Sequence, residues 1–265
     1  MKTLLMCEPR YFEVCYVINP WMDGNLGRVD TGLAVRQWRD LYDVLSGKAP
    51  IKLIEPVAGL PDMVFTANGG FVCRDREVVI SSFRHPERRV ESRYFSDFFV
   101  GSGYRVSGLG NGVHFEGAGD ALRDSSGQVW AGYGQRSDVG AIDEIAAMLH
   151  GRVNGLALVD PKWYHLDTAF CPLEGGCVIA YDKAFSAQGV GSIERAFGGG
   201  TIWVSEEDAN SFACNAVNIG SDVILHRASD ELKAALGRQG FNVIEVGVSE
   251  FIKAGGACKC LTLEL

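Results

Sequence analysis

The chain has 265 residues, 47% apolar and 22% charged, with 33 glycines against 8 prolines. That is the balance of an ordinary globular protein with many tight turns rather than disordered linkers, large enough to bury a sizeable core. Its formal net charge of −8 argues against a nucleic-acid or anionic-membrane partner, each of which needs a basic face.

The opening run Met1-Lys2-Thr3-Leu4-Leu5-Met6 is too short for the apolar core of a signal peptide, and no run approaches membrane-spanning length. The expectation is a cytoplasmic protein whose eight cysteines are free thiols. Only Cys258 and Cys260 lie close together, and a lone Cys-x-Cys pair is poor zinc evidence. No metal is expected.

Taken in order, the apolar runs Leu4-Leu5-Met6-Cys7 and Val14-Cys15-Tyr16-Val17-Ile18 come first. Asp30 then caps a predicted helix with Val35, Trp38, Leu41, Tyr42 and Leu45 on its apolar face, and a strand follows at Ile51-Lys52-Leu53-Ile54. A strand-turn-strand unit spans residues 64–81, with a polar turn at Arg74-Asp75-Arg76. A helix from about Pro86 buries Val90, Tyr94, Phe95, Phe98 and Phe99, and Tyr104-Arg105-Val106 is the next strand. The same order returns from Val113, from Leu166 and from Cys214. Their helices follow Ser137 (ended by Gly151), lie near Ile193-Glu194-Arg195-Ala196-Phe197, and are capped by Ser229.

These are five rounds of strand, hairpin strand, helix and strand at roughly 50-residue spacing. The last strand, residues 261–265, is left over, and pairing it with the first unit closes a ring and removes two open sheet edges. The expected fold is therefore α/β, a five-bladed α/β-propeller around a central channel, in one domain over residues 1–265. A doubly wound sheet fits less well, because every unit contains a hairpin.

If the first strand of each unit lines the channel, Asp62, Asn68, Glu116, Asp120, His165, Asp167 and Cys260 converge there. A thiol with carboxylates and a histidine makes a nucleophilic site with an acid/base partner. Singly, each residue has an ordinary structural reading; their recurrence at one phase of successive units favours a shared site. Cys260 follows Gly255-Gly256, which allow close backbone approach.

Four runs carry a family resemblance: Pro61-Asp62-Met63-Val64-Phe65-Thr66-Ala67-Asn68, Phe115-Glu116-Gly117-Ala118-Gly119-Asp120, Tyr164-His165-Leu166-Asp167 and Gly255-Gly256-Ala257-Cys258-Lys259-Cys260-Leu261-Thr262. In this order they resemble the guanidine-modifying enzymes: arginine deiminases, dimethylarginine dimethylaminohydrolases and amidinotransferases, whose fold is the same propeller. The arginine dihydrolase type is most similar. Enzymes of that type carry a second, C-terminal domain, whose function is expected to be absent here.

The resemblance implies that Cys260 attacks the guanidinium carbon, that His165 protonates leaving ammonia and then activates water, and that Glu116 holds the guanidinium and orients His165. It implies a substrate shell of Asn68, Asp62, Phe65, Arg88, Arg136, Asp120 and Asp167. Arg88 and Arg136 match the positions that hold the substrate carboxylate, with Arg84 and Arg89 as neighbours competing for the first role. Asp62 is placed to take the α-amino group, and residues 21–27 are a candidate lid hinged at Gly24 and Gly27.

Deiminases and dimethylarginine hydrolases place Asp where this chain has Asn68. An amide offers both an acceptor and donors, so it suits arginine's N–H groups and citrulline's carbonyl alike. The implied reaction is arginine to ornithine, two ammonia and carbon dioxide, with no organic cofactor and a small-molecule substrate as the partner. A hydrolase stopping at citrulline and an amidinotransferase are alternatives, as is a non-enzymatic binding propeller. A homo-oligomer is left open.

Overall fold

The computed structural model describes residues 2–74 and 76–265; Asp75 of the expected polar turn lies outside the described residues. In chain order, β1 (Leu4–Cys7), α1 (Thr31–Ser46) and β2 (Ile51–Ile54) are followed by β3 (Gly70–Arg74), β4 (Glu77–Ile80), α2 (Glu91–Gly101) and β5 (Arg105–Ser107). The third round is β6 (Ala121–Arg123), β7 (Val129–Tyr133), α3 (Gly140–Leu149) and β8 (Val153–Ala157). The fourth is β9 (Phe170–Leu173), β10 (Cys177–Ala180), α4 (Ala187–Phe197) and β11 (Thr201–Trp203), with a short α5 (Glu206–Asn210) after it. The fifth is β12 (Val217–Ile219), β13 (Asp222–Leu225), α6 (Asp230–Arg238) and β14 (Asn242–Glu245). Then come α7 (Ser249–Ile252) and β15 (Leu263–Glu264).

The strands form five three-stranded sheets, one per blade of an α/β-propeller. In each, an inner strand pairs antiparallel with a middle strand, which pairs parallel with an outer strand across a helical crossover. The first blade is closed as expected, β15 being its inner strand and pairing antiparallel with β1 through Leu4↔Glu264 and Leu5↔Leu263, with β1 parallel to β2; the run 14–18 is not a strand, so this unit, unlike the expectation, has no hairpin of its own.

The helices form where the sequence places their caps. The Asp30 side chain accepts from Leu33 N–H and that of Ser229 from Leu232 N–H, each satisfying an orphan donor worth about 1 kcal/mol. Helix α1 buries Ala34, Gln37, Trp38, Leu41 and Leu45, whereas Val35 faces solvent. In α2 Phe95 and Phe99 are core residues and Val90, expected inside, is exposed. The left-handed residue that ends α3 is His150 (φ 50°), not Gly151.

The inner strands begin later than periodicity suggests. Residues 61–64 and 66–69 are 3-10 turns before β3, and similar turns at 117–119 and 166–168 precede β6 and β9. In these buried turns apolar residues such as Val64, Phe65 and Leu166 flank the polar ones, so they read as strand. The correction matters for the site: its polar residues sit on the turns at the N-terminal ends of the inner strands, where the channel opens, not along the strands themselves.

Candidate active site

Hydrogen bonds from residue i+3 back to i tighten each turn: Asn68 N to Phe65 O at 3.1 Å, Asp120 N to Gly117 O at 3.1 Å, Ala169 N to Leu166 O at 3.0 Å, Asn215 N to Phe212 O at 2.9 Å, and Thr262 N to Lys259 O at 3.0 Å. The turns from five blades face one another at one mouth of the channel. They bring together Asn68, Glu116, His165, Asp167 and Cys260, all buried.

Cys260 Sγ lies 3.4 and 3.6 Å from the two oxygens of Asp167. Burial first, and the Asp167 carboxylate second, push its thiol well above the ordinary value, which favours the neutral thiol. Asn215, which the sequence does not single out, holds the nucleophile turn from the next blade. Its Oδ1 accepts from Ala257 N and Cys260 N, both at 3.1 Å, while its Nδ2 donates to Asp167 O at 2.9 Å and to Cys260 Sγ at 3.1 Å. Cys258 is different: it is fully buried in an apolar cluster, and burial pushes it up to about 12. Cys258 to Leu261 form a turn rather than a strand.

His165 Nε2 is 2.8 Å from Glu116 Oε2, and its Nδ1 is 3.4 Å from Asn68 Nδ2. An amide N–H₂ only donates, so the consistent neutral tautomer carries its proton on Nε2 and accepts at Nδ1. Glu116 also accepts from Arg136 Nη1 at 2.9 Å and from Arg84 N at 3.2 Å. Burial opposes its charge, but Arg136 and His165 outweigh that and hold its carboxyl well below the usual range. Asp167 goes the other way: burial pushes it up to about 7, with the Lys259 cation opposing.

Asp120 faces the blade seam. One oxygen accepts from Ser137 Oγ at 2.6 Å and the other from Leu166 N at 3.0 Å, and burial pushes it up to about 6. It thereby braces the turn that carries His165. Gly119 stands just before it for a steric reason: a Cβ there would lie 2.2 Å from Asn68 Nδ2.

Arg88 is buried within the site, whereas Arg84 and Arg89 lie on its rim, and Arg89 bonds the carbonyls of Phe83 and Arg84. Arg136 donates to Ile18 O at 2.9 Å and lies 4.6 Å over the Tyr164 ring. Asp62 accepts from Tyr16 Oη at 2.9 Å through Oδ2, while its buried Oδ1 has no partner. Phe65 packs edge-on against Phe12 and Phe251 beneath the Gly255-Gly256 loop. That loop requires its glycine: Gly255 has φ 86°, and a side chain would meet Tyr164 Oη at 2.8 Å, the same hydroxyl that donates to Gly255 O.

The candidate lid is pinned by polar contacts. Asn19 accepts from Trp21 N and Met22 N, Trp21 Nε1 donates to Lys162 O at 2.8 Å, and Gly27 N donates to Val14 O at 2.8 Å. The stretch that touches the site is its N-terminal side, through Tyr16 and Ile18. Among the described residues, no group of three or more His, Cys, Asp or Glu is arranged to hold a metal ion. Among the described residues, no helix is long and apolar enough to cross a membrane.

Five ββαβ blades with a thiol, an imidazole and buried carboxylates gathered at one mouth define the architecture of the guanidine-modifying, or pentein, superfamily. The chain belongs within it to the family described as N,N dimethylarginine dimethylhydrolase, eukaryotic, whose profile matches residues 31–265. It is 48% identical over 263 residues to the bifunctional arginine dihydrolase/ornithine cyclodeaminase AgrE of Nostoc sp., covering 98% of this chain and 37% of that protein. It is 42% identical to the N(G),N(G)-dimethylarginine dimethylaminohydrolase of Mycobacterium tuberculosis, covering 98% of this chain and 84% of that one. The chain thus spans little more than a third of AgrE, whereas it spans most of the mycobacterial protein. Among solved structures, it superposes with a TM-score of 0.98 and 45% identity on the N-terminal domain of ArgZ bound to substrate, an arginine dihydrolase from the ornithine-ammonia cycle in cyanobacteria, covering 100% of this chain and 98% of that one.

Proposed function

We propose that this protein is a cysteine-dependent hydrolase of the arginine guanidino group that carries arginine through citrulline to ornithine, two ammonia and carbon dioxide. The observation that carries this reading is the thiol of Cys260 set 3.4 Å from a buried carboxylate, in a site that also buries the carboxyl groups of Glu116 and Asp62. Such a site disfavours the thiolate when empty and favours it when a guanidinium cation enters, so substrate generates its own nucleophile. The relatives named as arginine dihydrolases support this substrate.

In this reading Asp167 and Glu116 hold the guanidinium N–H groups, and the unpartnered Oδ1 of Asp62 receives the α-ammonium. Arg136 and Arg88 supply positive charge toward the α-carboxylate. Cys260 attacks the guanidinium carbon as its thiol proton passes to His165 Nδ1, and His165, held by Glu116, gives that proton to departing ammonia and then takes one from the attacking water. Collapse of that adduct gives citrulline. A second attack on the ureido carbon expels ammonia, and hydrolysis of the carbamoyl thioester leaves a carbamate that loses carbon dioxide to give ornithine.

A second reading, hydrolysis of N-methylated arginine ending at citrulline, is favoured by the family description and the mycobacterial relative. Product analysis with arginine, citrulline and dimethylarginine in parallel separates them. Ornithine from both arginine and citrulline is the expected result; citrulline as the sole end product would overturn the second step.

A further inference from the structure

Glu91, on the first turn of α2, is fully buried and has no part in the chemistry above. Its two oxygens accept from Arg88 Nε at 3.0 Å and Nη2 at 2.8 Å, a two-point pair that fixes the plane of the guanidinium. Arg88 Nη2 also donates to Asp62 O at 3.1 Å, and Nη1 donates to Asn68 Oδ1 at 2.9 Å. The Phe83 ring lies 4.6 Å from the guanidinium carbon and covers one of its faces.

This decides which way Asn68 points. Arginine has donors only, so the amide atom against Arg88 must be oxygen. The Asn68 N–H₂ is then turned toward the catalytic pair, 3.4 Å from His165 Nδ1 and 3.5 Å from Glu116 O, distances that leave it weakly held. A guanidinium carries only N–H donors around its central carbon and gains nothing from a second donor, and the amide oxygen expected to serve arginine's N–H groups is instead taken by Arg88. A ureido group presents a carbonyl oxygen and gains a hydrogen bond.

We propose that Glu91, by clamping Arg88, locks Asn68 as a hydrogen-bond donor and so selects the ureido group of citrulline for the second hydrolysis. Glu91 is thus a positioning residue that sets product outcome, an inference that rests on the two-step reading above. Gly119 belongs to the same device, since a side chain there would displace the Asn68 N–H₂.

The test is Glu91→Gln, assayed separately on arginine and on citrulline. A glutamine cannot accept at both ends, which releases Arg88 and lets the Asn68 amide turn. Because Arg88 also faces the α-carboxylate that both substrates share, kcat/KM falls on both; the expected result is a fall for citrulline at least tenfold larger than the fall for arginine consumption, and accumulation of citrulline. Equal losses on both substrates, or no loss on either, would overturn the proposal while ornithine formation by the unmodified protein keeps the two-step reading. No ornithine from the unmodified protein would overturn the two-step reading and this proposal with it. If Glu91→Gln does not fold, the clamp is read in crystals of Cys260→Ser soaked with citrulline. The ureido oxygen is expected on Asn68 Nδ2 with Arg88 still on Oδ1, and Oδ1 turned to the ligand overturns the proposal.

Discussion

The two mouths of the channel are built from the same five blades and differ in almost everything else. The far mouth holds a cavity of about 460 Å³, lined by inner-strand residues such as Phe71, Arg123, Phe170, Val217 and Leu263. Its charged groups make separate, weak contacts: Arg123 bonds the carbonyls of Gly127 and Cys73, and Lys2 pairs with Glu264 at 3.1 Å with both side chains half-exposed. The near mouth has turns in place of strands, and its carboxylates, imidazole and thiol are buried and mutually bonded. Emptiness alone is a poor guide to chemistry in this fold. What distinguishes the near mouth is that its charged groups have been taken out of water and shift one another's protonation.

The largest expected effect falls at the near mouth. Cys260→Ser lowers turnover by roughly 10⁴-fold, whereas Cys258→Ser leaves activity within about threefold and instead loses roughly 1–3 kcal/mol of stability through a buried hydroxyl. Activity lost equally in both variants would undo the assignment of the nucleophile. Next, Asn68→Asp shifts the ornithine-to-citrulline ratio about tenfold toward citrulline, equivalent to about 1.4 kcal/mol; an unchanged ratio in end-point product analysis removes Asn68 from that role.

A smaller effect is read in the rate of Cys260 alkylation against pH. Because burial and Asp167 raise this thiol, reactivity in the empty site climbs with pH and reaches its midpoint above the ordinary thiol value of 9.0. Asp167→Asn removes an adjacent negative charge and lowers the midpoint by roughly one pH unit, while Asn215→Asp adds one, withdraws the donor to Sγ, and raises it. Shifts of the opposite sign would mean that Asp167 does not face the thiol in solution. The smallest effect is at the far mouth, where Arg123→Met changes kcat/KM by less than about twofold; a large loss would erase the distinction between the two ends.

Much of this was legible beforehand, for definite reasons. The five rounds and their helices follow from periodicity and from caps such as Asp30 and Ser229, and the unpaired tail pointed to ring closure. Cys260, His165 and Glu116 lie in runs whose residue types announce chemistry. The turn-to-strand boundaries were hidden, because Val64 and Phe65 are as apolar in a buried turn as in a strand. Asn215, Ser137, Tyr16 and Glu91 were hidden for another reason: each acts on a residue from a segment distant in sequence or through an ion pair that composition does not reveal. Glu91, read from sequence, is an acidic residue in a helix's first turn, an ordinary place for one. Only packing shows that it is buried.

The antiparallel pairing of β15 with β1 joins residues about as far apart in sequence as this chain permits, Leu4 with Glu264. Cys260 lies just ahead of β15, on a turn held by Asn215. Contacts of such long separation form late, since the loop-closure entropy comes before any reward from the contact. Nucleophile positioning is therefore coupled to the highest-contact-order event in folding. A chain that has collapsed but not closed its ring has a thiol without its Asp167 and Asn215 neighbours, so recovery of activity on refolding reports ring closure itself and should lag behind the recovery of helix.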